Sequence, residues 1–313
     1  MCVSTARLYD KIAPSAFHAL HMPSHIYSML GMWDDSVHSN LASKASADQY
    51  EAENFPDTTH PGVPHMSDFL VYAYLQTARD ADAKHVVESL PNLKKFRFES
   101  LGIDTALAAI PARFALERGR WDEAAQLPVR DSKFPAAQSI TYFARALGAA
   151  RSSNAAAGRA EVAHLDEIEA KLVVDKNDYW LGQTRIQKQA ATAWIMFTEG
   201  RREEAIAAMR QAADLDDASE KNVAMENKLV PIRALLGELY LAAGKGKEAL
   251  VEFDAADKVM PNRFRIVAGA AKAASESGSV GVAKRYYRAL TELAAAAADR
   301  PEISEARTYL AQN

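Results

Sequence analysis

The chain is nearly devoid of cysteine. One residue in 313, Cys2, excludes an intramolecular disulfide and any multi-thiolate zinc site, and no base stands near it in sequence to activate it. No apolar run exceeds the seven residues Phe69 to Leu75, far short of the ~18 needed to suggest a membrane span. The opening residues Met-Cys-Val-Ser-Thr-Ala-Arg show no charged leader followed by an apolar stretch, so the expectation is a soluble, cytoplasmic protein. There is no excess of positive charge either. With 37 Lys+Arg against 41 Asp+Glu, a net charge of -4 and a pI of about 6.1, the chain lacks the cationic footprint of a nucleic-acid or polybasic membrane-surface protein. Familiar catalytic signatures are missing as well: there is no His-Glu-x-x-His, Gly-x-Ser-x-Gly or Gly-x-Gly-x-x-Gly, and Gly244-Lys-Gly-Lys247 has neither the spacing nor the preceding strand of a phosphate loop.

What is present is alanine and a skewed set of histidines. Alanine, the strongest helix former, supplies 61 residues, about 19%, beside only 14 Gly and 12 Pro, and no βαβ alternation appears, so an all-α chain is expected. The eight histidines stand at 18, 21, 25, 38, 60, 65, 85 and 164, which puts seven of them in the first 85 residues.

Self-similarity along the chain sets the architecture. Leu236-Gly237, Tyr240, Gly244, Ala249, Phe253, Ala256 and Pro261 describe two helices joined by a tight turn: small residues permit close approach, aromatics fill the gap, and proline ends the unit. This unit resembles a tetratricopeptide (TPR) repeat. The same grammar recurs around Gly31, Ala78, Gly119, Gly200 and Gly278, with a degraded copy near Ser152-Ser153. The resemblance implies one TPR-like superhelical solenoid of antiparallel helix pairs over residues 1–313. The pairs are expected at about 15–50, 64–92, 103–128, 137–174, 183–216, 229–260 and 263–298, with a C-terminal cap at 301–313. Asn54 to Pro64, with three prolines and a glycine, reads as a loop between the first two pairs, and Ala294 to Ala298 as a helix-forming run.

The three imidazoles of His18-Ala-Leu-His21-Met-Pro-Ser-His25 fall within a 60° sector of one helix face. They lie 13, 10 and 6 residues before Gly31, positions that in TPR proteins point into the concave groove. The same subtraction from Ala78 gives His65, Asp68 and Tyr72; from Gly119, Ala106, Ala109 and Arg113; from Gly200, Gln187, Ala190 and Trp194; from Gly244, Pro231, Ala234 and Glu238. Two functions follow. One is a binding scaffold that takes a peptide or protein segment in its groove, contacted by Tyr72, Arg113, Gln187 and Trp194 together with His21 and His25. The other is a metal-dependent protein, a hydrolase or an oxygenase, with a divalent transition metal (Zn, Fe, Mn, Ni or Cu) on His18, His21, His25, His65 and Asp68, covered by His60. Pro23 lacks an N–H for the Ala19 carbonyl, so a kink or broken turn is expected beside the histidines. Trp33 and Trp121 read as packing aromatics between helices.

The run from Tyr9 through His18-Ala-Leu-His21-Met-Pro-Ser-His25 to Trp33, followed by His65-Met-Ser-Asp68-Phe-Leu-Val-Tyr72, is similar to a group of bacterial TPR proteins of uncertain function. That resemblance implies further helical, His-containing sequence before this point. With an amphipathic pattern already running by Val3, the expectation is a piece of a longer protein.

Overall fold

The computed structural model describes residues 2–219, 229–295 and 300–313, and among them it is helical throughout, with a single isolated bridge between Thr58 and Lys95. A lone N-terminal helix α1 (Cys2–Ile12) precedes a broken helix, α2 (Phe17–His21) and α3 (Pro23–Leu30), which pairs with the long α4 (Trp33–Asn54). The following pairs are α5 (Val63–Gln76) with α6 (Asp80–Ser89), α7 (Leu101–Glu117) with α8 (Trp121–Ala125), α9 (Pro135–Arg151) with α10 (Ala155–Val174), and α11 (Asp178–Thr198) with α12 (Arg202–Ala218). Next come α13 (Ile232–Ala242) with α14 (Gly246–Val259) and α15 (Phe264–Glu276) with α16 (Val280–Leu293), before a terminal α17 (Pro301–Gln312). This is the all-α solenoid of antiparallel helix pairs. No helix among the described residues is long and apolar enough to cross a membrane. Ala296 to Ala298 of the alanine run lie outside the described residues, and α16 has already ended at Leu293.

The turn inside each pair has one physical design. Gly31, Ala78, Gly119, Ser153, Gly200, Gly244 and Gly278 all take a left-handed backbone, with φ between 54° and 85°. After each of them the next N–H bonds back to a carbonyl five residues earlier, as in Met32 to Tyr27, Arg79 to Tyr74 and Lys245 to Tyr240. This is the Schellman closure, which satisfies carbonyls that a helix end leaves open and reverses the chain. Ala78 and Ser153 adopt it without being glycine. Ser153 marks the turn of the degraded copy.

The first helices of successive pairs form the inner row, and that row closes on itself. Helix α15 and the turn before it pack against α3 and α5, joining the last full pair to the first two. Trp33 Nε1 donates to the Asn262 carbonyl at 2.6 Å, the Phe264 N–H donates to Gln76 Oε1 at 2.8 Å, and Arg300 forks onto Asp80 with its shortest contact at 2.6 Å. Arg263, almost fully buried, donates to the Tyr72 hydroxyl at 2.9 Å and to the Ser28 carbonyl at 3.3 Å. Trp33 therefore does more than pack within its own pair.

Closure changes the inner side of the solenoid. Instead of an open groove, Tyr72 (1% exposed), Arg113 (1%), Gln187 (8%) and Trp194 (4%) are all buried. Arg151 lies between the rings of Trp121 and Trp194, 4.1 and 4.0 Å from their centroids, and pairs with Glu238 at 2.6 Å. Arg265 bonds both Glu238 and the Leu116 carbonyl. Burial pushes the Glu238 carboxyl up, but Arg265 and Arg151 outweigh it and hold the group below the usual carboxylate range. Side chains placed inward by the repeat register meet one another across the ring.

Gly31 shows how tight the closure is. A Cβ there would lie 2.4 Å from the Pro261 oxygen and 2.6 Å from Asn262 Cβ, whereas at Gly244, with a similar φ, it would meet open space. Gly31→Ala should cost about 3 kcal/mol, combining the left-handed penalty of ~1–2 kcal/mol with overpacking of ~1–3 kcal/mol. Gly244→Ala should cost only the first part. Urea unfolding midpoints measure both, and equal losses would contradict a ring sealed at Gly31.

Candidate metal centre

The site forms where a helix is broken. Pro23 cannot donate to the Ala19 carbonyl, so α2 ends at His21 and α3 begins again at Pro23, the break expected from the sequence. The Leu20 carbonyl, left open at the end of α2, is taken up by Ser39 Oγ of α4, and Ser43 Oγ of the same helix donates to the Phe17 carbonyl. With Ser36 and Asn40 these make a stripe of small polar residues at helical spacing on the buried face of α4. The break leaves His21 at the end of one segment and His25 in the first turn of the next. Helix α5 brings His65 alongside.

The three imidazoles form a compact group. His21 lies 4.8 Å from His25 and 4.7 Å from His65 between ring centroids, and His25 lies 5.7 Å from His65. One nitrogen from each can be chosen so that all three lie within 4.8 Å of one another. Phe69 packs against all three rings at 4.7 to 5.0 Å and walls off one side. Tetrahedral ligands on ~2.0–2.1 Å bonds stand ~3.4 Å apart, so small ring rotations bring the set to ligating distance.

His21 is the best-defined member. Asn40 Nδ2 donates to the Ser36 carbonyl at 2.8 Å, which fixes Asn40 Oδ1 as an acceptor 2.7 Å from His21 Nδ1. Nδ1 must therefore carry the proton, which leaves Nε2 with a free lone pair. That Nε2 is buried and has no hydrogen-bond partner. A histidine held by a polar group on one nitrogen and unoccupied on the other has the arrangement of a metal ligand with its supporting bond in place. Burial, then the neighbouring His25, lowers the His21 pKa to about 4 despite the Asn40 bond. Burial, then His21 and His18, lowers that of His65 to about 3. Both are neutral at pH 7, the form that binds a metal.

The remaining sequence candidates are placed elsewhere. Asp68 lies outside the histidine group: its carboxylate receives a bidentate fork from Arg113, Nε at 2.7 Å and Nη2 at 3.3 Å, in a buried pair. His18 shares α2 with His21 but is exposed and lies outside the group of three. His60 is buried in the loop between α4 and α5, where its Nδ1 accepts from the Gly62 N–H and its ring packs on Phe17 at 4.2 Å. It does not join the cluster. His38 and His85 are exposed. Asn40 and Phe69 were missed by the sequence reading, although the serine and asparagine stripe of α4 was a usable signal for the first.

Neutral burial has a pH signature. Between pH 6.5 and 4 the unfolded chain binds protons on these histidines that the folded metal-free chain does not, so stability falls as pH falls. From ordinary values of 6.5, His21 and His65 together should account for about 2 kcal/mol of loss between pH 6.5 and 5.5. Denaturant titrations across that range test it: His21→Asn with His65→Asn should flatten the slope, and an unchanged slope would contradict the assignment.

No family model and no curated protein matches this chain. Among solved structures it is similar to a tetratricopeptide repeat protein from Parabacteroides merdae, at 10% identity and a TM-score of 0.42, over 94% of this chain and 98% of that one.

Proposed function

We propose that this helical-repeat protein is a metal-dependent protein that holds one divalent transition metal on His21, His25 and His65. The observation that carries the reading is the buried, unpartnered Nε2 of His21, on a ring that packs against two further imidazoles and is fixed by Asn40. A buried lone pair without a partner costs ~1–3 kcal/mol. A bound cation removes that cost. Three imidazole nitrogen donors without a carboxylate favour Cu, Ni and Zn over Mn and Fe(II), so the absence of Asp68 from the set narrows the metals expected from sequence.

Three protein ligands leave a fourth position, where a metal would activate a bound water or polarise a carbonyl. His18, exposed one turn before His21, is close enough to disfavour protonation of His21 and His65. Tyr72, Arg113, Gln187 and Trp194, the residues of the peptide-groove reading, are buried in the ring, and that burial weighs toward the metal reading. Scaffolding in the general sense remains a property of the fold.

Elemental analysis of protein loaded in turn with Zn, Ni and Cu and then desalted should find about one metal per chain. His25→Ala combined with His65→Ala should abolish retention, while His18→Ala should keep it. Asp68→Asn should also keep the metal yet lose about 3–5 kcal/mol of stability, because it breaks the buried Arg113–Asp68 ion pair. No metal above background in the unaltered chain would sink the proposal.

A further inference from the structure

Helices α3 and α5 meet at two levels, one helical turn apart. At the first, His25 of α3 faces His65 and Phe69 of α5, with the His25 and Phe69 rings 4.7 Å apart. At the second, Ser28 of α3 and Tyr72 of α5 are bridged by Arg263, which arrives from the far end of the chain with Asn262 and Phe264. Ser28 is three residues after His25, and Tyr72 is three after Phe69. The seat on which the C-terminal pair docks is therefore the next turn of the two helices that a metal on the histidines would join.

We propose that metal binding at His21, His25 and His65 and docking of the Pro261–Phe264 turn onto α3 and α5 are one linked equilibrium, in which the metal holds the ring shut and its loss favours opening. The inference rests on the metal reading above. The differential interaction is specific: a metal fixes the separation of α3 and α5, and Arg263 reaches the Ser28 carbonyl and the Tyr72 hydroxyl together only at one separation. Its single guanidinium spans both, with contacts of 3.3 and 2.9 Å. Further bonds are made by the same turn on the same two pairs, Trp33 to the Asn262 carbonyl and Gln76 to the Phe264 N–H, and Gly31 lies against Pro261 with no room for a side chain. When the turn leaves, Tyr72 loses its cover, and inner residues such as Arg113 come nearer to solvent. The site then regulates access to the inner face of the repeats. Linkage requires reciprocity: whatever factor the metal adds to docking, docking adds to metal affinity.

Two measurements on the full chain test this, with Zn as the probe. Hydrogen exchange of the segment 261–270, with and without Zn, should show slower exchange with metal, most at Phe264, whose N–H is bonded to Gln76. Competition against a chromophoric chelator should show Arg263→Gln binding Zn about five-fold or more weakly, a coupling at the lower end of the usual range. Tyr72→Phe, which removes a single hydroxyl, provides the milder variant if Arg263→Gln does not fold. Unchanged exchange at 261–270 in a chain that does bind Zn, with unaltered affinity in the variants, overturns the linkage and leaves the metal site standing. Failure of the unaltered chain to bind Zn, or Ni or Cu used as the probe in its place, overturns both.

Discussion

Helix α5 is buried on almost every side, and one of its faces is polar. His65, Asp68, Tyr72 and Gln76 follow one another at intervals of three, four and four residues, so they line one stripe of the helix. Buried polar groups must be partnered, at a cost of ~1–3 kcal/mol for each one that is not. The partners come from three different parts of the chain. His65 meets the imidazoles of α2 and α3, Asp68 takes Arg113 of α7, Tyr72 takes Arg263, and Gln76 takes the Phe264 amide. The candidate metal site, the buried ion pair and the closure of the ring are successive positions on one helical stripe.

That stripe departs from the usual physics of a repeat array. A solenoid in which each pair touches only its neighbours has a stability that adds along the chain and can fray from either end. Here the last full pair rests on the first two through Arg263, Trp33, Gln76 and Arg300, so opening either end removes partners from buried groups at the other. The interior this creates is rich in arginine. Arg113, Arg151, Arg263 and Arg265 are each matched by carboxylates, carbonyls, a hydroxyl or indole faces, which suits a guanidinium better than an ammonium.

Much of this was legible in sequence, because local rules govern it. The Gly31, Gly119, Gly200, Gly244 and Gly278 landmarks all take the left-handed turn, and even the faint copy at Ser152-Ser153 has its turn at Ser153. Counting back from those landmarks selected buried residues on helix after helix, from Tyr72 and Arg113 to Gln187, Trp194 and Ala234. The same subtraction applied to Gly278 gives Arg265, which was overlooked. What sequence could not supply was the sum of small rotations from pair to pair, and that sum decides whether the row stays open or returns on itself. Residues such as Arg263 and Asn262 act only through closure, so nothing local marked them. The histidine cluster was readable at His21, His25 and His65, since each sits on a regular segment. Nothing local set apart His18, which shares α2 with His21 yet stays exposed, or Asp68, whose partner Arg113 lies 45 residues away.

The chemistry of the cluster rests on preparation before any ligand arrives: burial keeping His21 and His65 unprotonated, Asn40 holding one ring, and a buried nitrogen with nothing to bond. X-ray absorption at the metal edge of Zn-loaded protein tests that preparation most directly. The account predicts three imidazole nitrogens at ~2.0–2.1 Å and one further light atom. A shell dominated by carboxylate oxygens, or one with fewer than two imidazoles, would contradict it.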